Sequence, residues 1–163
     1  MAITVSTYDN AATIFAQGLA AVQGNAGSGA ITSTESSYAT FKINLYTGTP
    51  TFTSTHATLA EVDAANTQAT GGSWSGGVAL TNPQIYKTGN DAYLDADDFD
   101  YVASGSDLSA TCALLYLDQL NRPYDLVDRP LLFIDFGQTE TAATGTSFKI
   151  VWSSQGIFSF VVA

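Results

Sequence analysis

The sequence is poor in basic residues, and this scarcity excludes a class of partner. Its 163 residues include only five Lys and Arg against fifteen Asp and Glu, which gives a formal net charge of −10 at pH 7. Nucleic-acid binding depends on clustered cations that neutralise phosphates, so no nucleic-acid partner is expected. Charged residues make up 12% of the chain and hydrophobic residues 45%, which is enough to build the core of one ordinary domain.

Single copies of cysteine and histidine limit the covalent chemistry that the chain could perform. Cys112 has no second cysteine to pair with and lies in the apolar run 110–117, so we interpret it as a buried, unreactive thiol. A Ser-His-Asp triad would have to use His56, which lies in a Thr- and Ser-rich segment. The sequence Gly-Ser-Trp-Ser-Gly at 72–76 has Trp74 where a nucleophile elbow requires Ser. These patterns predict no catalytic residue and no enzymatic activity.

Known cofactor and metal motifs are also missing. No P-loop, dinucleotide-binding glycine motif or zinc-ligand spacing occurs, so we predict no cofactor and assign no metal ligand. Five aspartates cluster between Asp91 and Asp100, but an EF-hand loop starting at Asp95 would place Asp100 where Gly is needed and Ser106 where Glu is needed. The cluster is typical of a solvated turn between strands, and a calcium site of another type is the alternative.

Neither a membrane span nor a secretory signal is evident. No apolar run approaches the roughly 18 residues that a span requires. No basic residue precedes Lys42, whereas a signal peptide begins with positive charge. We therefore expect a protein that is made in the cytoplasm and has no membrane partner.

Apolar and polar residues alternate through much of the chain, as in half-buried strands. In residues 40–47, Phe41, Ile43 and Leu45 alternate with more polar neighbours. Further strands are expected at 78–81, 84–88, 112–117, 131–136, 148–152 and 157–162. Strands at this spacing predict an all-β fold, a β-sandwich or open barrel of about seven to nine strands. The T-x-x-E sequence of residues 58–61 has the spacing of a capping box, which predicts one helical turn.

The N-terminal segment has a different pattern. Phe15, Leu19 and Val22 recur at helical spacing, and the Gly-, Ala- and Ser-rich residues 24–29 that follow are typical of a flexible joint. A short isolated helix is marginal in water, so its apolar side chains need a partner surface. We expect these three residues to form an assembly interface with a neighbouring chain. Packing against the arm's own domain is the alternative.

The chain is thus predicted to have two parts. Residues 1–29 form a short N-terminal helical arm with its glycine-rich joint, and residues 30–163 form the β-sandwich domain. A joint of this composition would let the arm reach beyond its own domain.

Seven stretches of the β-domain resemble, in the same order, a widespread family of small virion structural proteins of tailed bacteriophages. They are Phe41–Thr47, His56 with Leu59–Val62, Trp74–Leu80, Leu94–Phe99, Ala113–Tyr116, Pro130–Gly137, and Ile150–Trp152 with Gly156–Phe158. The chain departs from the family pattern at Trp74, where the family has Tyr, and at Ser73, where it has Gly.

The resemblance implies a non-enzymatic virion structural protein, and within that class a capsid decoration (cement) protein that binds and stabilises the phage head. It makes the major capsid protein the expected partner and the capsid surface the expected location. A homotrimer at local three-fold positions is the expected assembly, because closed symmetry then gives each subunit the same contact. Two alternatives are open: a structural protein of the neck or tail, and a receptor- or glycan-binding module that uses Trp74 and tyrosine rings as stacking platforms.

Overall fold

The computed structural model describes residues 2–12, 39–88, 91–120 and 126–160. The strands within these ranges are β1 (Thr4–Thr7), β2 (Ala39–Thr47), β3 (Thr67–Gln68), β4 (Val78–Ala79), β5 (Gln84–Thr88), β6 (Asp91–Asp95), β7 (Phe99–Val102), β8 (Leu108–Leu120), β9 (Leu126–Ala142), β10 (Ser147–Ile150) and β11 (Phe158–Phe160). One helix, α1 (Leu59–Ala65), lies wholly within the described ranges. The prediction of an all-β fold is confirmed. The strand count is higher than expected because β1, β3, β6 and β7 were not predicted; β3 has only two residues, too few to show a hydrophobic period.

The strands form one large sheet and two small ones. The large sheet, called the main sheet below, has the order β1-β9-β8-β2-β3, and β4 also pairs with β2. The small sheets have the orders β10-β7 and β11-β6-β5. All pairings between the described strands are antiparallel. The long strands β8 and β9 pair along most of their length and form the centre of the main sheet.

The larger core lies between the main sheet and the two small sheets, which makes the fold a two-layer sandwich. Phe41, Ile43 and Leu45 of β2 belong to it together with Phe148 of β10. Ile150 and Trp152 are partly buried and pack against the same core. We refer to this side of the main sheet as the inner face. The predicted alternation in β2 is confirmed on this face.

The opposite face of the main sheet, the outer face, carries a second cluster. Its members are Tyr8, Tyr46, Val62, Cys112, Leu114, Tyr116 and Phe133. Residues 112–117 are therefore buried on both faces of β8, as their continuous apolar sequence predicts. The expectation that β2 is only half buried is wrong: Asn44 and Tyr46, predicted to face solvent, are 1% and 0% exposed. They are covered because Val62 of α1 packs into the outer cluster and Asp63 of α1 binds both side chains.

Helix α1 begins at the predicted capping box. The Thr58 hydroxyl accepts a hydrogen bond from the Glu61 N–H, and the Glu61 carboxylate accepts one from the Thr58 N–H at 3.0 Å. That carboxylate also accepts from the Ala57 N–H, and the two backbone bonds hold the pKa of Glu61 below its usual range. The helix runs for seven residues, two turns in place of the predicted one, and ends at Asn66, whose N–H donates to the Val62 carbonyl at 3.0 Å.

The first residues of the chain belong to the main sheet. β1 pairs with β9 from Thr4 opposite Asp135 to Thr7 opposite Leu132. Tyr8, which follows, is 2% exposed. Residues 2–12, the described part of the predicted arm, thus pack against the β-domain. The candidate interface residues Phe15, Leu19 and Val22, and the joint 24–29, lie outside the described residues.

Candidate assembly surface

An apolar groove of about 500 Å³ opens between the main sheet and the second layer. One wall is formed by β1 and β9, and the other by β10 and the turn at 151–157. The aliphatic and aromatic lining residues are Ile3, Val5, Leu132, Ile134, Phe136, Ala142, Phe148, Ile150, Val151, Trp152 and Ile157. Because side chains two apart on a strand point to the same face, Ile3 and Val5 extend the row that Ile134 and Phe136 begin on β9.

Exposed aliphatic side chains concentrate at this groove. Ile3 is 66% exposed, Val5 57% and Val151 71%. These are half of the six large hydrophobic residues that are exposed in the described part of the chain. Scattered single apolar residues are normal on a surface, but a contiguous apolar patch beside a groove is typical of an interaction site.

β1 also presents a free backbone edge beside the groove. The Tyr8 N–H donates to the carbonyl of Leu131, the residue directly opposite in the same register. In an antiparallel ladder the bonded pairs alternate, so Val5 and Thr7 direct their N–H and C=O groups away from β9. Within the described residues no other strand pairs with β1. Such an edge can accept another extended strand.

The acidic segment 91–100 fixes the far wall of the groove. The Asp98 carboxylate accepts a hydrogen bond from the Trp152 N–H at 3.0 Å, and the Asp97 carbonyl accepts one from the Trp152 indole N–H at 3.0 Å. The Asp97 carboxylate in turn accepts from the Asn82 side chain. These contacts hold the turn between β6 and β7 against the residues that follow β10. The aspartates therefore act as structural acceptors for the groove wall.

An exposed ion pair also joins β10 to β7. Lys149 and Asp100 lie opposite each other on β10 and β7, with Nζ and Oδ2 2.8 Å apart. The hydrogen bond from Lys149 is the main reason that the pKa of Asp100 is lowered, and the same bond raises the pKa of Lys149. Within the described ranges, no three His, Cys, Asp or Glu side chains are grouped in a way that could hold a metal ion.

A buried polar network lies on the outer face beneath α1. The Tyr46 hydroxyl donates to the Asp63 carboxylate at 2.7 Å, and the Asn44 side-chain amide donates to the Tyr46 hydroxyl at 3.1 Å. Burial, followed by the hydrogen bond to Asp63, raises the pKa of Tyr46 well above its usual value, so the phenol stays protonated. The network joins β2 to α1, and its polar atoms satisfy one another. It stabilises the fold.

Cys112 and His56, the residues considered for covalent catalysis, lie in surroundings that are typical of structural residues. Cys112 is fully buried, and burial raises the pKa of its thiol to about 11, as the interpretation of an unreactive thiol predicts. His56 lies in the turn before α1, and its N–H donates to the Thr53 carbonyl at 3.1 Å. Glu61, which interacts electrostatically with His56, is held in the capping box. No serine is brought to His56 in a triad arrangement among the hydrogen bonds of the described residues.

Trp74 is buried, so it cannot serve as an exposed stacking platform in the receptor- or glycan-binding alternative. The side chain is 8% exposed and packs edge-on against Tyr101, with ring centroids 4.9 Å apart, and against Phe99. Ser73 and Gly72 adopt positive φ angles of 59° and 58°, which turn the chain so that the indole points into the larger core. A Cβ at Gly72 would lie 2.7 Å from Leu108, so the turn requires glycine there.

Comparisons with protein-family models, with curated proteins and with solved structures found no match to this chain. In the described part of the chain, no helix is both long enough and apolar enough to span a membrane. The groove therefore has to be interpreted from its own geometry.

Sequence reasoning missed the residues that form this surface. Ile3, Val5 and Val151 are not among the candidate residues, because the helical spacing of Phe15, Leu19 and Val22 is the more prominent pattern of the N-terminal segment. A signal was present: apolar residues alternate at positions 3 and 5, and residues 1–8 contain no charged side chain.

Proposed function

We propose that this chain is a non-enzymatic structural protein of a phage virion, and that it acts as a capsid decoration (cement) protein that binds the major capsid protein. The resemblance of the motif order to tailed-phage virion proteins supports the virion part of this proposal. One observation carries the binding part: exposed aliphatic side chains, Val151 among them, line a single groove in an otherwise acidic, Thr- and Ser-rich protein.

A cement protein holds neighbouring subunits together by surface complementarity, and the groove has the properties for this. Its walls are held in place from both sides, by the pairing of β1 with β9 and by the bonds from Trp152 to the 97–98 turn. A preformed groove loses little conformational entropy on binding. Covering Val151 and the aromatic residues beneath it removes apolar surface from water, at about 25 cal/mol per Å².

Binding of the purified protein to capsids that lack it tests the proposal. We expect the protein to co-sediment with capsids and to raise the temperature at which they break. Val151→Lys places a charge at the groove mouth and should abolish both effects. Val102→Lys is the matched control, because Val102 is also exposed, at 57%, but lies on β7 and does not line the groove.

Two results would contradict the proposal. One is absence of binding by the wild-type protein, and the other is equal binding by the Val151→Lys and Val102→Lys variants. A reconstruction of the whole virion gives the independent check. Density for the chain on the capsid lattice supports the cement role, whereas density confined to the neck or tail would replace it with the alternative structural role.

A further inference from the structure

We infer that β1 is a self-association edge, at which two copies of this chain pair their β1 strands antiparallel about a two-fold axis. The two main sheets then become one continuous sheet, and the two apolar grooves meet across the axis. This inference concerns the isolated protein in solution, goes beyond the proposed capsid role and does not depend on it.

The backbone of β1 fixes what kind of partner fits. Among the described residues, the outward N–H and C=O groups of Val5 and Thr7 have no partner strand and form a row at the edge of the main sheet. A row of alternating donors and acceptors is satisfied by another extended strand, which forms the same ladder in return. The partner is therefore a strand, and the exposed side chains next to the edge determine which strand.

The parity of β1 makes the strand complementary to itself. Only odd-numbered residues direct their backbone groups outward, so any antiparallel self-pairing places odd residues opposite odd residues. Side chains directly opposite in an antiparallel pair lie on the same face. The pairing that centres on Val5 places Ile3 opposite Thr7 of the second copy, and all of these side chains lie on the groove face. Each copy thus contributes the same patch, as an isologous interface requires.

The lack of charged side chains makes this edge a place where the repulsion between two copies is weak. The chain carries a net charge of −10, so two copies repel each other over most of their surfaces, but residues 1–8 contain no charged side chain. Edge strands that proteins protect against pairing carry lysine or proline. β5, at the edge of one small sheet, has both features, with Lys87 within the strand and Pro83 directly before it. β1 has neither.

The molar mass of the full-length protein in solution tests the inference. Light scattering after size-exclusion chromatography should give twice the chain mass of 17.1 kDa for the wild type. Val5→Lys should reduce this to the mass of one chain, because two ammonium groups would meet at the axis. Val102→Lys should leave the dimer intact, although Val102 is as exposed as Val5, at 57% each. Ile3→Lys, at a position that is 66% exposed, should repeat the effect of Val5→Lys if that variant folds poorly.

Amide hydrogen exchange separates edge pairing from other dimers. In the wild-type dimer the Val5 and Thr7 amides should exchange slowly, and in the Val5→Lys monomer the Thr7 amide should exchange fast while Ser6, bonded to β9, stays protected. A wild-type monomer would overturn the inference, including one in which the chain's own residues 13–38 cover β1. A trimer, or a dimer that Val5→Lys leaves intact, would overturn it as well. If Val151→Lys loses capsid binding but still forms the dimer, capsid binding and self-association depend on different residues and can be judged separately.

Discussion

The two faces of the main sheet are stabilised in different ways, although they share the strands β2, β8 and β9. The inner face is covered by two hydrogen-bonded sheets, and its core residues are apolar. The outer face is covered by a seven-residue helix and by turns, and its cluster includes three tyrosines beside the buried Asn44. Apolar contact needs only the right size and shape, whereas hydrogen bonds need a particular direction. The hydrogen bonds of the outer face therefore fix α1 in one position, although only this short helix and turns cover the face.

Adjacent leucines on β8 provide the strongest test of this difference. Leu114 and Leu115 are both fully buried, one in the outer cluster and the other in the inner core. Leu115→Ala should lower the free energy of unfolding by about 2–5 kcal/mol. Leu114→Ala should cost less, because a short helix can shift into the cavity more easily than a layer of paired strands. Urea denaturation of both variants measures the difference, and equal losses would mean that the two covers are equally rigid.

The polar network of Asn44, Tyr46 and Asp63 should do much to hold α1 in one position on the outer face. Tyr46→Phe removes the hydrogen bond to Asp63, and bonds to charged groups are worth about 1.5–3 kcal/mol. Tyr8→Phe is the matched control on the same face, because the Tyr8 hydroxyl is buried and has no hydrogen-bond partner among the described residues. We expect the first variant to unfold at lower urea and the second to be neutral or slightly more stable. A larger loss for Tyr8→Phe would contradict the role assigned to the network.

Capping of α1 should contribute a smaller amount. Thr58→Ala removes the hydroxyl that accepts from the Glu61 N–H, at an expected cost of about 1 kcal/mol. The same change at the exposed Thr55, just before the capping box, should have no measurable effect. Thermal unfolding followed by circular dichroism compares the two variants. If both behave like the wild type, α1 owes its position to packing alone.

The smallest effect concerns the charge of Glu61. The pKa of Glu61 in the folded protein lies below the ordinary value of 4.5. The stabilisation of the fold by the ionised Glu61 carboxylate is therefore fully present above pH 4.5, and it is lost as the pH falls through the lowered pKa of the folded state. Glu61→Gln keeps an acceptor in the capping box but cannot titrate. The difference in unfolding free energy between the wild type and this variant should therefore shrink to zero in acid. Glu140→Gln serves as the control, and a difference that is independent of pH would show that charge is not involved.

Local sequence patterns predicted most of the inner face. The alternation of Phe41, Ile43 and Leu45 identified a strand with one apolar side, and the continuous apolar run 112–117 identified a strand buried on both sides. The capping box at 58–61 located the start of α1 because both of its bonds lie within four residues. These features depend on neighbours along the chain, and the sequence displays such neighbours directly.

The outer face and the groove could not be predicted in the same way. Asn44 and Tyr46 look like solvent-facing residues until α1 brings Asp63 to them from a distance in sequence. Trp74 looks exposed in its glycine-rich turn until positive φ angles direct it into the core. The groove joins Ile3 and Val5 to Val151, from opposite ends of the chain. Contacts between residues this far apart produce no local periodicity in the sequence, so only the fold reveals the candidate surface.

The pairing of β1 with β9 also sets the order of events during synthesis. Thr4 leaves the ribosome well before its partner Asp135, which lies 131 residues further along the sequence. Contacts between such distant residues form late, because the loop that they close is long. Until β9 has been synthesised, β1 lacks its partner strand. Other copies of the chain that are being made on the same messenger RNA then lie close to this uncharged strand. The pairing that places β1 at the edge of the main sheet therefore forms late, and a chain cut short before residue 131 could not form it.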